Sequence, residues 1–380
     1  MNLILIGWNK KSRILYNLII EYGGECYRIC HIAEPDNNLW TVISDNVSIG
    51  SMGKALQMYR SHEADKFLIA SPEPASDKYT VIDMLKDNGV LPEDVLYAPI
   101  ETLENNSISP DKRIGMICAY LDNKELDYME FHVADHCNLN CKYCSMFSGL
   151  VKEPVFADYG KTSRGLRLLK KYFSHIKVFR ILGGEPLLNP ELDKYLSLVR
   201  ELYPYSEIRL LTNGILLKNM PEKLIESIKE NDVVLCVTAY PVTMDKLEEY
   251  NDILNTLGIR HSISDVIFRF EKIYALSGES DADKAFDLCN WKGKCANIRG
   301  NYISACFVPF VIGYFEKCFG VNIEKSGVID LNTPGMTTAK IRAELDKSFD
   351  LCSFCSVKTE LAKWERMDED SYTRISDWSV

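Results

Sequence analysis

The chain has 380 residues, a formal charge of −10, and 46% hydrophobic and 26% charged residues, a composition ordinary for a globular protein of two or three domains. The acid excess argues against a nucleic-acid binder held by phosphate contacts, and apolar runs such as FVPFVIGYF at 307–315 are too short to span a bilayer. The opening MNLILIGWNKK puts its apolar run before its charges, the reverse of a signal peptide, and reads as the first strand of a cytoplasmic protein.

Residues 1–105 alternate strand-like and helix-like segments: LILIG, a helical pattern over 12–22, ECYRICHIA, MGKALQMYRSH, KFLIA and YTVIDMLKDNG. Such alternation implies a parallel sheet covered on both faces. The first turn, GWNKKS, lacks the G-x-G-x-x-G that brings backbone against a pyrophosphate, so a Rossmann-like domain over 1–108 is expected without a bound dinucleotide. The polar stretch 106–125 reads as a linker. A second alternating series follows, with strands expected at 129–135, 177–182, 207–212, 232–238 and 259–264 and helices at 161–174, 191–203, 221–230 and 243–256. Repeated βα units of this length suggest a parallel barrel, expected as a partial (β/α)6 TIM barrel over 126–285. From 286 to 380 the pattern breaks into turns, glycines and cysteines. The final KTELAKWERMDEDSYTRISDWSV reads as one helix and a solvated charged end.

Thirteen cysteines are many for a cytosolic chain, where metal binding or catalysis is favoured over disulfides. Cys137, Cys141 and Cys144 form a C-x3-C-x2-C loop directly after the first barrel strand, where a parallel barrel collects its functional residues. A structural zinc knuckle is one reading, with His132 or His136 as the fourth ligand. An iron–sulfur cube held by three thiolates, leaving one iron open, is the other. RILGGEPLLNP follows the second strand and places Gly183, Gly184 and Glu185 at its mouth: a double glycine lets backbone approach a ligand closely, and a carboxylate can take an ammonium group. LLTNGILL follows the third strand, and the fourth ends in Thr238.

With these motifs in this order, residues 126–285 resemble the radical S-adenosylmethionine (SAM) superfamily. The resemblance implies that Cys137, Cys141 and Cys144 hold a [4Fe-4S] cluster whose open iron is chelated by SAM. It implies that Tyr143 packs near the adenine, that Gly183, Gly184 and Glu185 meet the methionine amino group, and that Thr238 meets the ribose. The implied chemistry is reductive cleavage of SAM to a 5′-deoxyadenosyl radical, which removes hydrogen from an unactivated C–H bond. A flavodoxin- or ferredoxin-type reductant and anaerobic handling are implied with it. The protein's part is orientation and exclusion of water.

Six further cysteines, Cys289, Cys295, Cys306, Cys318, Cys352 and Cys355, crowd the last quarter, with Gly300 in an expected hairpin turn before Cys306. They resemble the twitch and SPASM extensions of radical SAM enzymes, which bind auxiliary iron–sulfur clusters. No cysteine follows Cys355, which favours the shorter twitch type with one auxiliary [4Fe-4S] on Cys289, Cys306, Cys352 and Cys355. Cys295 is the alternative to Cys289, and Cys318 is a spare. Four protein ligands suit an electron acceptor, as in the twitch dehydrogenase that oxidises an aminocyclitol alcohol, and so a dehydrogenase-like oxidoreductase. SPASM enzymes that modify peptides are the near alternative, and a non-catalytic zinc-binding interaction protein is the alternative of another class. The front domain looks like small α/β domains beside enzymes of nucleotide-sugar and polysaccharide metabolism, which tilts the expectation toward a carbohydrate-type substrate, or a protein partner docked at residues 1–105. Arg180, Tyr240 and Asp265 lie at strand positions where a barrel ligand sits, although residues there are commonly packed or salt-bridged.

Overall fold

The computed structural model describes residues 1–22, 27–44, 47–70, 81, 84–91, 94–98, 105, 107–121, 124–293, 296–323, 326–358 and 360–379. The chain divides into two units, Met1–Glu125 and Leu126–Val380.

In the first unit, β1 (Asn2–Ile6), α1 (Lys10–Tyr22), β2 (Arg28–Ala33), β3 (Thr41–Ser44), β4 (Val47–Gly50), α2 (Met52–Arg60), β5 (Lys66–Ile69) and β6 (Val95–Tyr97) build a six-stranded sheet in the order β3-β4-β2-β1-β5-β6. β3 runs antiparallel to β4 and the other pairs are parallel. Leu3 and Leu5 on one face of β1 and Ile4 on the other are fully buried, as expected for a strand covered on both faces. At the first turn the Trp8 N–H donates to the Glu34 carboxylate at 2.6 Å. The turn amide and the acid at the end of β2 are thus committed to each other, which suits the missing glycine motif. The stretch expected as a linker instead supplies α3 (Pro110–Leu121), whose Ile114 and Ile117 join the core of this unit. Apolar residues spaced three apart bury one helical face, and this outweighs the polar turn before them.

The second unit alternates β7 (Glu125–Ala134), α4 (Tyr159–Tyr172), β8 (His175–Gly183), α5 (Leu192–Leu202), β9 (Glu207–Thr212), α6 (Glu222–Glu230), β10 (Val233–Val237), α7 (Leu247–Leu257) and β11 (His261–Ile263). β8 to β11 are parallel neighbours. This mixed α/β arrangement fits a partial TIM-barrel core. Asp158 caps α4, accepting from the Lys161 N–H at 2.7 Å. Met129, Phe131 and Val133 of β7 point into the layer shared with Leu166, Leu169 and Tyr195 of the helices; each such burial contributes roughly 1.5–3 kcal/mol.

Beyond the barrel series, β12 (Arg269–Glu271) leaves the main sheet and α8 (Ala282–Asp287) follows. β13 (Asn297–Arg299) then pairs parallel with β7, and β14 (Tyr302–Ser304) forms the hairpin expected at Gly300. After α9 (Val308–Phe319), β15 (Ile329–Asp330) completes an eight-stranded sheet in the order β11-β10-β9-β8-β7-β13-β14-β15. The cysteine-rich end therefore continues the barrel's own sheet. α10 (Thr338–Leu345) follows, and β16 (Leu361–Lys363) pairs antiparallel with β12.

The tail differs from its expectation. Among its described residues there is no α-helix, only β16 and short 3-10 turns over 369–372 and 375–377. Trp364 and Trp378 are buried, so two large aromatics draw the segment onto the protein. No helix among the described residues is long and apolar enough to cross a membrane.

Candidate active site

The loop after β7 carries three non-glycine residues with left-handed backbone, Asn140 (φ 50°), Tyr143 (φ 60°) and Phe147 (φ 53°). Each costs roughly 1–3 kcal/mol and persists only where its surroundings dictate it. The surroundings here are the tail. The Lys142 N–H donates to the Glu365 carbonyl (2.9 Å), the Met367 N–H to the Asn140 carbonyl (2.7 Å) and the Tyr143 N–H to the Asp377 carbonyl (3.2 Å). The Lys142 ammonium lies 2.8 Å from Asp368, 3.5 Å from Glu365 and 4.0 Å from Asp377. Acids expected to be solvated thus surround a cation of the cysteine loop.

Cys137, Cys141 and Cys144 line one cavity of about 460 Å3, together with Tyr143, Gly183, Gly184, Thr238, Arg180 and Tyr240. Burial, then the neighbouring thiols and Glu185, pushes the Cys137 thiol up to about 12. Burial raises Cys141 and Cys144 as well. Thiolates at such positions need cationic partners, which a metal cluster would provide. The two histidines considered as a fourth ligand do not line this cavity: His132 Nδ1 lies 3.4 Å from Asp135, and His136 Nδ1 accepts from the Val155 N–H at 3.1 Å.

The double glycine has a backbone partner besides the cavity it lines. A Cβ at Gly183 would collide with the Ala134 carbonyl oxygen, and one at Gly184 with the His136 carbonyl oxygen. The Gly184 N–H donates to Ala134 (2.7 Å) and the Glu185 N–H to His136 (3.0 Å). The pair lets the end of β8 clasp the root of the cysteine loop while also facing the cavity.

Glu185 is fully buried and does not line the cavity. Its carboxylate accepts from Thr212 Oγ1 (2.7 Å), the Asn213 N–H (2.8 Å) and the Leu187 N–H (3.0 Å), while burial pushes it up to about 7. Asn213 in turn donates from Nδ2 to Asn138 (2.7 Å) and to the Cys137 sulfur (3.7 Å), so Glu185 reaches the loop through Asn213. Asp265 is exposed and lies outside the cavity. Arg180 stands 3.8 Å from the buried Glu130, and the Tyr240 ring packs 6.0 Å from both Phe270 and Trp364. Asn213 and Trp364 gave no sequence signal as site residues, because each reaches a cysteine from a distant segment.

Cys289, Cys306, Cys352 and Cys355 line a second, small cavity of about 50 Å3 walled by Phe286, Val308, Phe349 and Leu351. Burial, with the Cys352 and Cys289 charges, pushes Cys355 up to about 12. Cys318 stands apart, its thiol donating to the Tyr372 carbonyl at 3.4 Å. Cys295 lies outside the described residues. Trp291 lines both cavities. Among the described residues, no three His, Cys, Asp or Glu side chains are arranged around a single metal ion.

Residues 132–278 match the radical SAM superfamily model. Curated relatives include GTP 3′,8-cyclases from Microcystis aeruginosa, 31% identical over 125 residues (32% of this chain, 38% of the relative), and Clostridium acetobutylicum, 31% over 136 residues (35% and 42%). The chain thus spans about two fifths of the length of these relatives. Among solved structures, BtrN in complex with AdoMet and 2-DOIA aligns at TM-score 0.39 with 19% identity, over 62% of this chain and 98% of that one. Streptococcus suis SuiB bound to S-adenosylmethionine aligns at TM-score 0.31 with 16% identity, over 49% and 44%. The chain carries a radical SAM domain, and that membership implies a [4Fe-4S] cluster and SAM.

Proposed function

We propose that this chain, with its radical SAM domain at residues 132–278, is a dehydrogenase-like oxidoreductase acting on a sugar-type substrate, with an auxiliary cluster as electron acceptor. The observation that carries the reading is the convergence of Cys289, Cys306, Cys352 and Cys355 on one small apolar cavity. Four protein thiolates complete a cubane and leave no iron open to substrate, which suits electron transfer over ligand binding.

In this reading Cys137, Cys141 and Cys144, which line the larger cavity, would hold the first cluster. When bound, that cluster and SAM supply a one-electron route to hydrogen-atom abstraction from an unactivated C–H bond. Tyr143, Gly183, Gly184 and Thr238 form the cavity wall against SAM. Glu185 acts on SAM only through Asn213 and the loop. The surrounding walls hold reductant and water away from the reacting carbon. Two electrons and two protons would leave the substrate, one of each as the hydrogen atom. Cys289, Cys306, Cys352 and Cys355 would hold the group that takes the second electron, and the second proton would pass to solvent. Trp291 lines both cavities. A flavodoxin- or ferredoxin-type protein supplies the starting electron.

The test is anaerobic reconstitution followed by incubation with SAM, reductant and pooled nucleotide sugars. About eight irons per chain, four for each cubane, and 5′-deoxyadenosine forming in step with an oxidised sugar are expected. Colourless protein with stoichiometric zinc, or turnover only with a peptide, would overturn the reading.

A further inference from the structure

We infer that the C-terminal strap, residues 360–379, is a tuning element of the cysteine-loop centre, acting through the indole N–H of Trp364 on the sulfur of Cys141. The inference rests on the reading that these cysteines hold a cluster, and it assigns a task to a segment outside the matched domain, residues 132–278.

The three thiols are supplied differently. Cys137 receives the Leu139 backbone N–H at 3.4 Å and, at a longer 3.7 Å, Asn213 Nδ2, and Cys144 faces the backbone N–H groups of Met146, Phe147 and Ser148. The backbone donors come with the loop itself. Cys141 receives Trp364 Nε1 at 3.2 Å, from 223 residues away. The indole is 7% exposed and packs with Leu139 and Cys141. Its backbone is fixed on both sides: the Trp364 N–H donates to the Phe268 carbonyl at 2.9 Å, and the Lys142 N–H reaches Glu365. Trp364 is therefore a positioning residue.

A hydrogen bond donated to a ligating thiolate withdraws electron density from the sulfur and favours the more negative, reduced cluster, raising its potential. Largely buried, this one is stronger than the same bond in water. The same strap holds the left-handed residues Asn140 and Tyr143 in place, so it sets both the geometry and the driving force of the first electron.

The experiment uses the reconstituted holoenzyme and an EPR-monitored redox titration that follows the signal perturbed by SAM, so the auxiliary centre is not counted. Trp364→Phe keeps the ring and loses the N–H. At the potential where the unmodified cluster is half reduced, its reduced-to-oxidised ratio is expected to fall about tenfold, a 59 mV drop for one electron. Trp378→Phe is the control: it is a second buried tail tryptophan whose Nε1 donates to the Ser371 carbonyl at 3.3 Å, and its potential should stay within twofold in that ratio. Equal potentials in unmodified and Trp364→Phe enzyme, or equal drops in both variants, overturn the inference. Enzyme with indole-15N tryptophan gives a reading that survives poor iron loading of the variants: the reduced cluster should show a 15N coupling, and none in a well-loaded cluster overturns the inference. Absence of any cubane in the unmodified protein sinks the underlying reading as well, and is told apart by its iron content.

Discussion

The two cysteine groups differ in how the chain assembles them and in how much room surrounds them. Cys137, Cys141 and Cys144 lie within eight residues and open onto a cavity of about 460 Å3. Cys289, Cys306, Cys352 and Cys355 come from three separate segments in the last quarter and line about 50 Å3 between apolar walls. Three donors beside a roomy cavity leave a coordination position that a small molecule can fill, whereas four donors around a small one leave none. The difference teaches that, on the reading proposed above, ligand count and room would separate similar thiols into a reaction centre and an electron acceptor.

The sharpest way to break the comparison is to remove one member of each group. Cys141→Ala should abolish 5′-deoxyadenosine formation, by about a thousandfold or more, and lower the iron content by about half, read by colorimetric iron assay. Cys352→Ala should also lower iron by about half but leave SAM cleavage largely intact. Substrate oxidation should then fall on the order of a hundredfold, uncoupled from cleavage. If the two variants lose the same activity, the division of roles is wrong.

The clasp between β8 and the cysteine loop is the next target. Gly184→Ala sets a methyl against the His136 carbonyl oxygen and should cost roughly 3–5 kcal/mol, seen as a lower urea midpoint. Beneath the larger cavity, burial pushes Glu130 from 4.5 up to about 8, with the Asn297 hydrogen bond opposing. A carboxyl raised in the fold contributes stability that is complete below pH 4.5 and is lost as pH rises toward 8. Stability should therefore decline across that window by on the order of a few kcal/mol, and Glu130→Gln should flatten the decline. An equally steep loss in the variant would refute that assignment. The smallest effect is expected at the loop's ion cluster. Lys142→Met should cost about 1 kcal/mol, since Glu365 and Asp368 are half exposed, and the loss should shrink at high salt.

Much of this site was legible in the sequence, for local reasons. A C-x3-C-x2-C loop places its thiols within one turn of chain whatever the rest does, and the βα periodicity that positions it depends on neighbouring residues. The strands expected at 177–182 and 207–212 accordingly correspond to β8 and β9. Less legible were residues whose meaning depends on a distant partner. Glu185 read as a ligand for an ammonium group, yet its carboxylate is met by Thr212, Asn213 and Leu187. Asp265 read as facing a ligand and is exposed outside the cavity. The tail read as a solvated helix, but its pattern of acids around two tryptophans makes sense only against Lys142 and Cys141.

The sequence by itself determined the chemistry on offer: thirteen cysteines, a three-thiol loop at the end of a strand, and alternating strands and helices that a parallel sheet accommodates. Tertiary structure alone decided why two glycines stand at 183 and 184, and that residues 360–379 brace the loop. Local spacing is fixed by covalent geometry and backbone periodicity, so it can be read from a string. The convergence of Trp364 on Cys141 across 223 residues follows from burying aromatic surface in three dimensions, and no short pattern encodes it.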